Sequence, residues 1–347
     1  MRSTLVLFAA LLLFGCSKPT PSSGDGITTY HLDFDELRDT ICPLSMIADS
    51  VSYIDLETTP QSLLAQVTAC GFCDSGIVVF DQRGGSVLLF SGNGKFLRPI
   101  GAKGQGPGEY IRPEAIDVDR NIVYVYDGLQ GSILKYALDG SFIGTDSVGR
   151  VDDFVHCPSE GPDSYLVALF QWKDDYGFYH VTTDPVSSRK VVGAIDVIPV
   201  KSLLNFFRYG DDKIAMMPNS FDNRVYQWKA DSVSLGYVLD ITPMPSSEQI
   251  ENLVGRQRVE HYNRMAFCDS SRWLIVNYWR YPEDFRTVVI DKKQDSVRLF
   301  EHMENDLDTC RRGYGIKGGY NNGSLFYALD DPDTDDNPRL QLFHLKN

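Results

Sequence analysis

Two stretches of this chain have nearly the same order of apolar, polar and turn residues, so that one structural unit is written twice. Residues 76–97 are repeated, with changes, as residues 121–143, and Ser86 precedes Ser132 by 46 residues. Each copy consists of short runs rich in β-branched and aromatic residues, separated by turns that contain glycine. A period of roughly 40 to 50 residues with these properties is typical of β-propeller blades. The repeat therefore predicts an all-β propeller.

Following the repeat along the chain predicts a six-bladed β-propeller. Apolar runs that we interpret as second strands occur at 77–80, 122–126, 165–170, 213–217, 273–278 and 325–329. A loop and a third strand follow each of them, at 87–90, 133–136, 178–182, 224–228, 285–290 and 339–345. Inner strands are then predicted at 66–71, 114–118, 153–157, 203–209, 264–268 and 315–320. The last blade lacks an outer strand, and the N-terminal segment 51–57 is predicted to supply it, which removes two free sheet edges.

One segment between the fourth and fifth blades departs from the strand pattern. Ser246 and Gln249 have the spacing of a capping box, in which the two side chains bond to each other's backbone N–H groups. The apolar residues within 250–254 would share one face of a helix. A short helical insertion is therefore predicted near 246–262.

The first residues are typical of a segment that is removed during export. Arg2 supplies a positive charge, and residues 5–14 form an apolar run that is too short to span a bilayer as a helix. Gly15 then precedes Cys16. This pattern resembles a bacterial lipobox, in which the peptide is cleaved before a cysteine that carries lipid. The alternative is an ordinary secretory signal with an incidental cysteine.

The lipobox divides the chain into three parts. We predict a signal peptide at 1–15, a lipid anchor and tether at 16–48, and the propeller at 49–347. The polar run rich in serine, proline and glycine that follows Cys16 would hold the domain away from the bilayer. Several acyl chains on one cysteine would anchor the protein stably, since each buried CH₂ contributes about 0.8 kcal/mol.

The charge of the chain disfavours two classes of partner. The formal net charge is −14, and loss of Arg2 with the signal peptide takes it to −15. Nucleic acids and anionic lipid surfaces attract proteins through a positive field, which this chain lacks. We therefore expect no nucleic-acid partner, and membrane attachment through the lipid anchor only.

Six cysteines remain after Cys16, and their pairing cannot be deduced from spacing. Cys70 and Cys73 have the CxxC spacing of redox motifs and of half a zinc site. No second CxxC or paired histidine follows, and the context is not βαβ. The favoured interpretation is that both cysteines belong to the core at the end of an inner strand.

A family resemblance rests on residues 95–110, KFLRPIGAKGQGPGEY, followed by Pro113. Together with the lipobox and the blade pattern, this run resembles the six-bladed β-propeller lipoproteins of Bacteroidetes-type bacteria, which are relatives of NHL-repeat propellers. The resemblance implies the fold and export, and the residue after Cys16 is compatible with the outer membrane. It implies no established activity, because this fold hosts lyases, lactonases and binding scaffolds alike.

The motifs that might carry chemistry are weak. The glycine-rich loop 101–108 lacks phosphate-loop spacing and joins two strands, so we interpret its glycines as turn residues. Residues 331–337 offer oxygens at alternate positions, but Leu342 occupies the place of the bidentate glutamate, so calcium is a weak alternative to a solvated loop. No GxSxG or HExxH motif is present. We therefore assign no catalytic residue and no cofactor.

The most informative candidates are aromatic residues in the loops between second and third strands, which share one face of a propeller. A flat aromatic ring supplies contact area and polar neighbours fix orientation, as binding of a sugar or peptide requires. Asp174 and Asp284 are predicted to supply polar neighbours, and the segment 219–224 adds to the same face. The alternative is that these rings only cover the blades. The candidate ligand-binding residues are Trp172, Tyr176, Arg208, Trp279, Arg280 and Tyr281.

Three functional hypotheses follow. The first is a lipid-anchored envelope module that binds a glycan, a peptide or a partner protein through this aromatic face. The second is a lactonase-type or lyase-type enzyme with a metal in the channel, held by side chains such as His156, Asp153, Asn205 or Asn263. A lone histidine on an inner strand is more often structural, which weakens the second hypothesis. The third is a scaffold whose blade edges dock a membrane partner.

Overall fold

The computed structural model describes most of the chain in eleven ranges. These are residues 22–24, 27–36, 39–169, 177–193, 205–209, 213–218, 221–251, 260–308, 318–319, 325–330 and 336–347. Apart from one short α-helix and two 3₁₀ turns, Leu44–Met46 and Pro158–Glu160, the elements of these ranges are β-strands. The prediction of an all-β propeller is confirmed.

The N-terminal region contributes four strands, of which the first two pair with each other and the last two belong to two other sheets. They are β1 (Ser22–Gly24), β2 (Ile27–Asp33), β3 (Asp39–Pro43) and β4 (Ala48–Asp55).

Three antiparallel sheets then follow along the chain, each built from four consecutive strands. Blade 1 consists of β5 (Val67–Cys73), β6 (Gly76–Asp81), β7 (Ser86–Phe90) and β8 (Phe96–Pro99). A short parallel pair, β9 (Ala102–Lys103) and β10 (Glu109–Tyr110), connects it to the next blade. Blade 2 consists of β11 (Pro113–Asp119), β12 (Ile122–Asp127), β13 (Ser132–Ala137) and β14 (Phe142–Ser147). Blade 3 consists of β15 (Asp153–His156), β16 (Ser164–Leu169), β17 (Gly177–Thr183) and β18 (Val186–Gly193).

Two further blades have the same plan. Blade 4 consists of β19 (Phe206–Tyr209), β20 (Lys213–Met216), β21 (Arg224–Lys229) and β22 (Ser232–Thr242). After the helix α1 (Ser247–Glu251), blade 5 consists of β23 (Asn263–Asp269), β24 (Trp273–Arg280), β25 (Asp284–Asp291) and β26 (Ser296–Glu304). The last strands are β27 (Gly318–Gly319), β28 (Leu325–Asp330) and β29 (Arg339–Leu345).

Consecutive strands of the described residues therefore form five complete blades, whereas the sequence predicts six. The remaining four-stranded sheet, here called the composite sheet, has the order β27-β28-β29-β4. It takes its outer strand from the N-terminal region, with Val51 opposite Phe343 and Ile54 opposite Leu340. The predicted pairing of the segment around Val51 with the C-terminal strand is confirmed. A segment distant in sequence thus completes a sheet that the C-terminus leaves without an outer strand.

The 46-residue repeat has a physical cause in one aspartate per blade. Asp81 ends β6, and its carboxylate accepts hydrogen bonds from the backbone N–H groups of residues 65, 66 and 84, at 2.8 to 2.9 Å. Asp127 ends β12, and its carboxylate accepts from the backbone N–H groups of residues 111, 112, 129 and 130. Each aspartate therefore ties the entry of its blade to the turn after its second strand, which explains why both the residue and the spacing recur.

The core lies between blades, so both faces of each sheet are buried. In β6, Val78 and Phe80 pack toward blade 2, while Ile77 and Val79 pack toward Leu340 of the composite sheet. All residues of β6 are buried as a result. This explains why the second strands read as continuous apolar runs rather than as alternating ones. Fully burying each such side chain contributes about 1.5–3 kcal/mol.

The N-terminal region forms a belt around the outside of the ring. β2 pairs in parallel with β22 of blade 4, and β3 pairs in parallel with β26 of blade 5. β4 then continues the belt as the outer strand of the composite sheet. The described part of the predicted tether, 16–48, therefore already lies in sheets, and the strand structure begins before the predicted boundary at 49.

The predicted helical insertion begins as expected. The Ser246 N–H donates to Gln249 Oε1 at 2.9 Å, and the Gln249 N–H donates to Ser246 Oγ at 3.3 Å. These two bonds form the predicted capping box, and the helix α1 follows it directly. Residues 252–259 lie outside the described residues, and so do the predicted signal peptide, Cys16 and the acidic residues of 331–335.

Candidate functional site

The candidate functional site is the turn of the hairpin formed by β24 and β25, the second and third strands of blade 5. Tyr281 lies in the turn and is 64% exposed, and Phe285 is 41% exposed. Trp279, which is half-buried, lies directly opposite Phe285 in the strand register. Residues opposite each other in an antiparallel pair project from the same face. Trp279 and Phe285 therefore project from one face, and Tyr281 lies in the turn that follows; these three residues are here called the aromatic tip.

The aromatic tip belongs to the face of blade 5 that is turned toward the composite sheet. Side chains alternate along a strand, so Trp279 shares a face with Trp273 and Asn277. The indole N–H of Trp273 donates to the carbonyl oxygen of Lys346, just after β29, at 2.8 Å. Tyr278 points the other way, and its hydroxyl donates to Oδ1 of Asn223, which directly precedes β21 of blade 4, at 2.9 Å.

A buried amide lies below the tip on the same face. Asn277 is two residues before Trp279, and its Nδ2 donates to Thr287 Oγ1 at 3.0 Å. Among the described residues, no donor reaches the Oδ1 of Asn277. Buried acceptors normally have a partner, so this oxygen marks a place where one more polar group is expected.

The charged residues of the hairpin bind each other on its opposite face. Arg280 donates to Asp284 Oδ2 through Nε at 3.0 Å and through Nη2 at 2.5 Å. Asp284 also accepts from the hydroxyl of Tyr262 at 2.6 Å and pairs with Arg286. The guanidinium carbon of Arg280 lies 4.3 Å from the ring centre of Tyr262. Arg286 in turn donates to the backbone oxygen of Phe34 at 2.9 Å, which fixes the hairpin to the belt.

This ion cluster keeps Asp284 ionised. Burial would raise the pKa of Asp284, but the hydrogen bonds from Tyr262 and Arg280 outweigh it and leave that pKa below the usual value. Burial also raises the pKa of the Tyr262 hydroxyl, and its bond to Asp284 adds to the effect. Arg280 therefore acts in the free protein as a support for the hairpin, and its predicted contact with a ligand stays a prediction.

Arg208 lies away from the aromatic tip, in a cluster between the inner strands of blades 2, 3 and 4. Its Nη2 donates to Asp117 Oδ2 and to the backbone oxygen of His156, both at 2.7 Å. The His156 backbone N–H also donates to Asp117 Oδ2, at 2.8 Å. Asp119 Oδ2 lies 2.9 Å from His156 Nδ1. We call Asp117, Asp119, His156 and Arg208 the inner-strand cluster.

The chemistry of His156 follows from its two neighbours. Burial would raise the pKa of Asp119, but the hydrogen bond with His156 and the charge of Arg208 outweigh it and lower that pKa. An ionised Asp119 assigns the proton of a neutral imidazole to Nδ1, which leaves a lone pair on Nε2. The His156 ring stacks on Tyr124, with ring centres 4.5 Å apart, and Nε2 is buried without a hydrogen-bond partner among the described residues. This packing is that of a structural histidine.

The other residues proposed to hold a metal in the channel form hydrogen bonds outside the inner-strand cluster. Asp153 Oδ2 accepts from the backbone N–H of Asn205 at 3.2 Å and from its Nδ2 at 3.3 Å. The Asn263 Nδ2 donates to the backbone oxygen of His261 at 2.6 Å. Within the described ranges, no group of three or more His, Cys, Asp or Glu side chains has an arrangement that could hold a metal ion. Asp153 and Asn205 therefore join blades 3 and 4, Asn263 makes a local bond at the start of blade 5, and these contacts give the metal-enzyme hypothesis no further support.

Trp172, Tyr176 and Asp174 lie outside the described residues, so their place relative to the aromatic tip remains a prediction. Two features of the site are absent from the sequence prediction. Phe285 was assigned to a third strand, although its register position opposite Trp279 puts it in the tip. Asp117 and Asp119 alternate on an inner strand just before a turn, and this spacing could have indicated carboxylates on one side of that strand.

Two further motifs have structural roles. Cys70 and Cys73 pack against different inter-blade clusters, as the favoured interpretation of these cysteines as core residues predicts. In the glycine-rich loop, Glu109 Oε2 accepts from the Gly106 N–H at 2.8 Å. This carboxylate occupies a donor that a phosphate would need, so the interpretation of the loop as a turn is supported.

Comparison with known proteins identifies the family. A family model described as a domain of unknown function, DUF4934, matches residues 30–341. The chain belongs to the DUF4934 family. No curated protein matches this DUF4934 chain significantly.

Solved structures share the fold of this DUF4934 protein at low identity. A protein from Bacteroides fragilis that is described as exported is 17% identical, with a TM-score of 0.70, and the match covers 92% of this chain and 100% of that one. A member of the DUF4221 family from Bacteroides vulgatus is 10% identical, with a TM-score of 0.54 over 86% of this chain and 97% of that one. Virginiamycin B lyase from Staphylococcus aureus is 8% identical, and its TM-score of 0.45, over 85% of this chain and 99% of that one, is too low to support an argument about activity.

Among the described residues, no helix is long and apolar enough to cross a membrane.

Proposed function

We propose that this DUF4934 propeller is a binding or scaffold module that contacts its ligand through the aromatic tip of blade 5. The observation that carries this proposal is the exposure of Tyr281 and Phe285 beside Trp279, while the adjacent charges are neutralised by one another. Large exposed rings at a fixed position provide contact area at low entropic cost, because the surrounding structure already holds them. The ion cluster under Arg280 supplies that support.

The chemistry of the tip suits a glycan, a peptide or a partner protein. Rings accept stacking by the apolar face of a sugar or by an apolar side chain. Residues 172 and 176 belong to the equivalent loop of blade 3, and the proposal includes them as further contacts on the same face.

The setting of this module is part of the same proposal. We propose that Cys16 carries lipid after removal of the signal peptide, and that the protein is anchored in the cell envelope at the outer membrane. We also propose that the composite sheet acts as a sixth blade, of the NHL-like kind. Its four-stranded antiparallel pairing and its contact with blade 1 through Leu340 support this count.

Binding assays with substituted proteins test the proposal. Immobilised panels of envelope glycans and of peptides would be probed with the lipid-free domain and with its Trp279→Ala and Tyr281→Ala variants. Removal of a central aromatic contact typically costs 2 kcal/mol or more, which corresponds to a loss of affinity of about 30-fold. Val186→Ala is the matched control, since Val186 is 86% exposed on the edge of blade 3.

The control should bind as the unsubstituted protein does. If both tip variants keep the full affinity for every ligand that the panels identify, the aromatic tip is not the binding site. Arg280→Ala adds a second comparison, because it should weaken binding by loosening the hairpin and should also lower the thermal stability.

A further inference from the structure

The belt fixes the place at which the chain leaves the propeller. The sheet of blade 4 is extended to six strands in the order β1-β2-β22-β21-β20-β19, with β1 at its outer edge. β1 pairs antiparallel with β2, with Ser22 opposite Thr29 and Gly24 opposite Ile27. Five strand spacings of about 4.8 Å put β1 about 24 Å from the inner strand β19. Ser22 therefore lies at the rim of the ring rather than above one of its faces.

The chain between the proposed lipid anchor and this rim is short. Six residue steps separate Cys16 from Ser22. An extended chain covers at most about 3.6 Å for each residue, so the span cannot exceed about 22 Å. This limit is smaller than the distance from β1 to the inner strand, so the anchor cannot reach a position beneath the centre of either face without the rim approaching the bilayer.

We propose that the bilayer lies beside the outer edge of blade 4, so that the ring stands on its rim with its channel roughly parallel to the membrane plane. This inference rests on the lipid anchor of the proposed function. Blade 1, which is separated from blade 4 by two sheets in either direction around the ring, then points away from the membrane. Both faces of the ring stay open to solution, including the aromatic tip.

The charge of this rim determines how closely it approaches the lipid. Asp33, Asp35 and Glu36 are exposed at the end of β2. Carboxylates repel anionic headgroups, but this repulsion is screened beyond about 8 Å at physiological ionic strength. The short tether, and not attraction by the protein surface, therefore holds the rim near the bilayer. The lipid surface is the partner of this edge, and the separation is limited by the length of the linker.

Energy transfer to the membrane tests this orientation. The full lipidated protein would be reconstituted into phosphatidylcholine vesicles that contain a headgroup-labelled acceptor lipid. A small fluorescent amino acid would replace Glu36 in one variant and Lys95 in a second. Both positions are exposed; Glu36 lies three residues after β2 of the blade 4 sheet, and Lys95 lies between β7 and β8 of blade 1. Transfer from position 36 should be severalfold more efficient than transfer from position 95.

A lengthened linker provides the matched control. A Gly/Ser insert of roughly 30 residues before Ser22 has a root-mean-square span of about 30 Å and should largely abolish the difference between the two positions. Equal transfer from both positions in the acylated protein without the insert would overturn the proposed orientation. Transfer between protein copies at position 36 that is independent of vesicles would assign this edge to a second copy, and would also overturn it.

The state of the anchor is measured separately. Mass spectrometry of the membrane fraction detects acylation of Cys16, and Cys16→Ala should release the protein from the membrane. Absence of acylation would contradict the anchor itself, and the orientation would fail with it. Failure of the orientation alone leaves the acylation and the ligand binding of the aromatic tip unchanged, so the two failures can be told apart.

Discussion

Asp117→Ala tests whether the inner-strand cluster holds blades 2, 3 and 4 together. The Asp117 carboxylate accepts from the backbone N–H of Val118 at 2.9 Å, from that of His156 at 2.8 Å and from Arg208 Nη2 at 2.7 Å. The side chain of Arg208 is 7% exposed. Alanine would leave this guanidinium without its nearest anion and would leave two backbone donors without their acceptor.

The expected loss of unfolding free energy can be bounded from these contacts. Removing one partner of a buried ion pair costs about 3–5 kcal/mol, because the other charge stays buried. Asp119 Oδ1 remains 3.8 Å from Arg208 Nη1 and keeps part of the attraction. We therefore expect a loss near the lower limit, about 3 kcal/mol. In a domain of this size each kcal/mol lowers Tm by about 2 °C, so Tm should fall by about 6 °C.

Urea denaturation and calorimetry of the lipid-free domain measure this loss. Asp55→Ala is the matched control, since the Asp55 side chain is 75% exposed and pairs with Arg339 at the surface. Exposed pairs contribute at most about 1 kcal/mol, so the control should change little. A loss for Asp117→Ala no larger than that of the control would refute the reasoning. The combined Asp117→Ala and Arg208→Met variant should be more stable than additivity predicts, because no unpaired charge is left behind.

Two further predictions concern acid stability and thiol chemistry. Asp119 and Asp284 have pKa values below their usual range, so the stability that they contribute is present above the unfolded pKa of about 3.9 and is lost as the pH falls through the folded values. Tm should therefore fall below about pH 4, with a shallower slope in Asp119→Asn, and a Tm that is constant down to pH 3 would contradict this. Cys70 and Cys73 should form no disulfide with each other under mild oxidants, because three residue steps along a strand separate their Cα atoms by about 10 Å. Detection of that bond by peptide mass spectrometry would count against the assignment of β5.

The fold was largely predictable because a blade is a local unit. Strands β5 to β8 follow one another with short turns, and Asp81 recurs as Asp127 at the same offset as the strands. The pairing of β4 with β29 was predictable because the last predicted blade lacked an outer strand and the alternating segment 51–57 had no other assignment. Local pattern and topology agree at these places, so sequence alone is sufficient.

The belt was not predictable in the same way. Residues 27–33 alternate like a strand, but their partner β22 begins about 200 residues later, and nothing local indicates a parallel pairing over that distance. The neighbouring serine, proline and glycine run favoured a tether instead. Such pairings depend on burial of Tyr30 and Leu32 against residues of blades 4 and 5, which are distant in sequence.

The candidate site was predictable where it depends on a loop, and not where it depends on register. Trp279 and Tyr281 were placed on a loop face because they lie between a second and a third strand. Arg208 was grouped with them, but it lies near the C-terminal end of β19, and there it meets Asp117 and His156. The position of a side chain along an inner strand depends on how that strand pairs with its neighbour. The residues of the inner strand alone do not determine this pairing.

The division between fixed and free aromatic residues supports the placement of function at blade 5. Tyr110, Tyr126 and Tyr136 are as large as Tyr281, but they are buried, and their hydroxyls bond to backbone groups between blades. Those rings are part of the core and cannot be exposed without opening the ring. Tyr281 has no such burial, although exposing a large ring to water gains nothing for stability. Arg286 fixes the hairpin that carries Tyr281 to the belt. Because the Tyr281 ring is not part of the core, it can contact a ligand without loss of folding free energy.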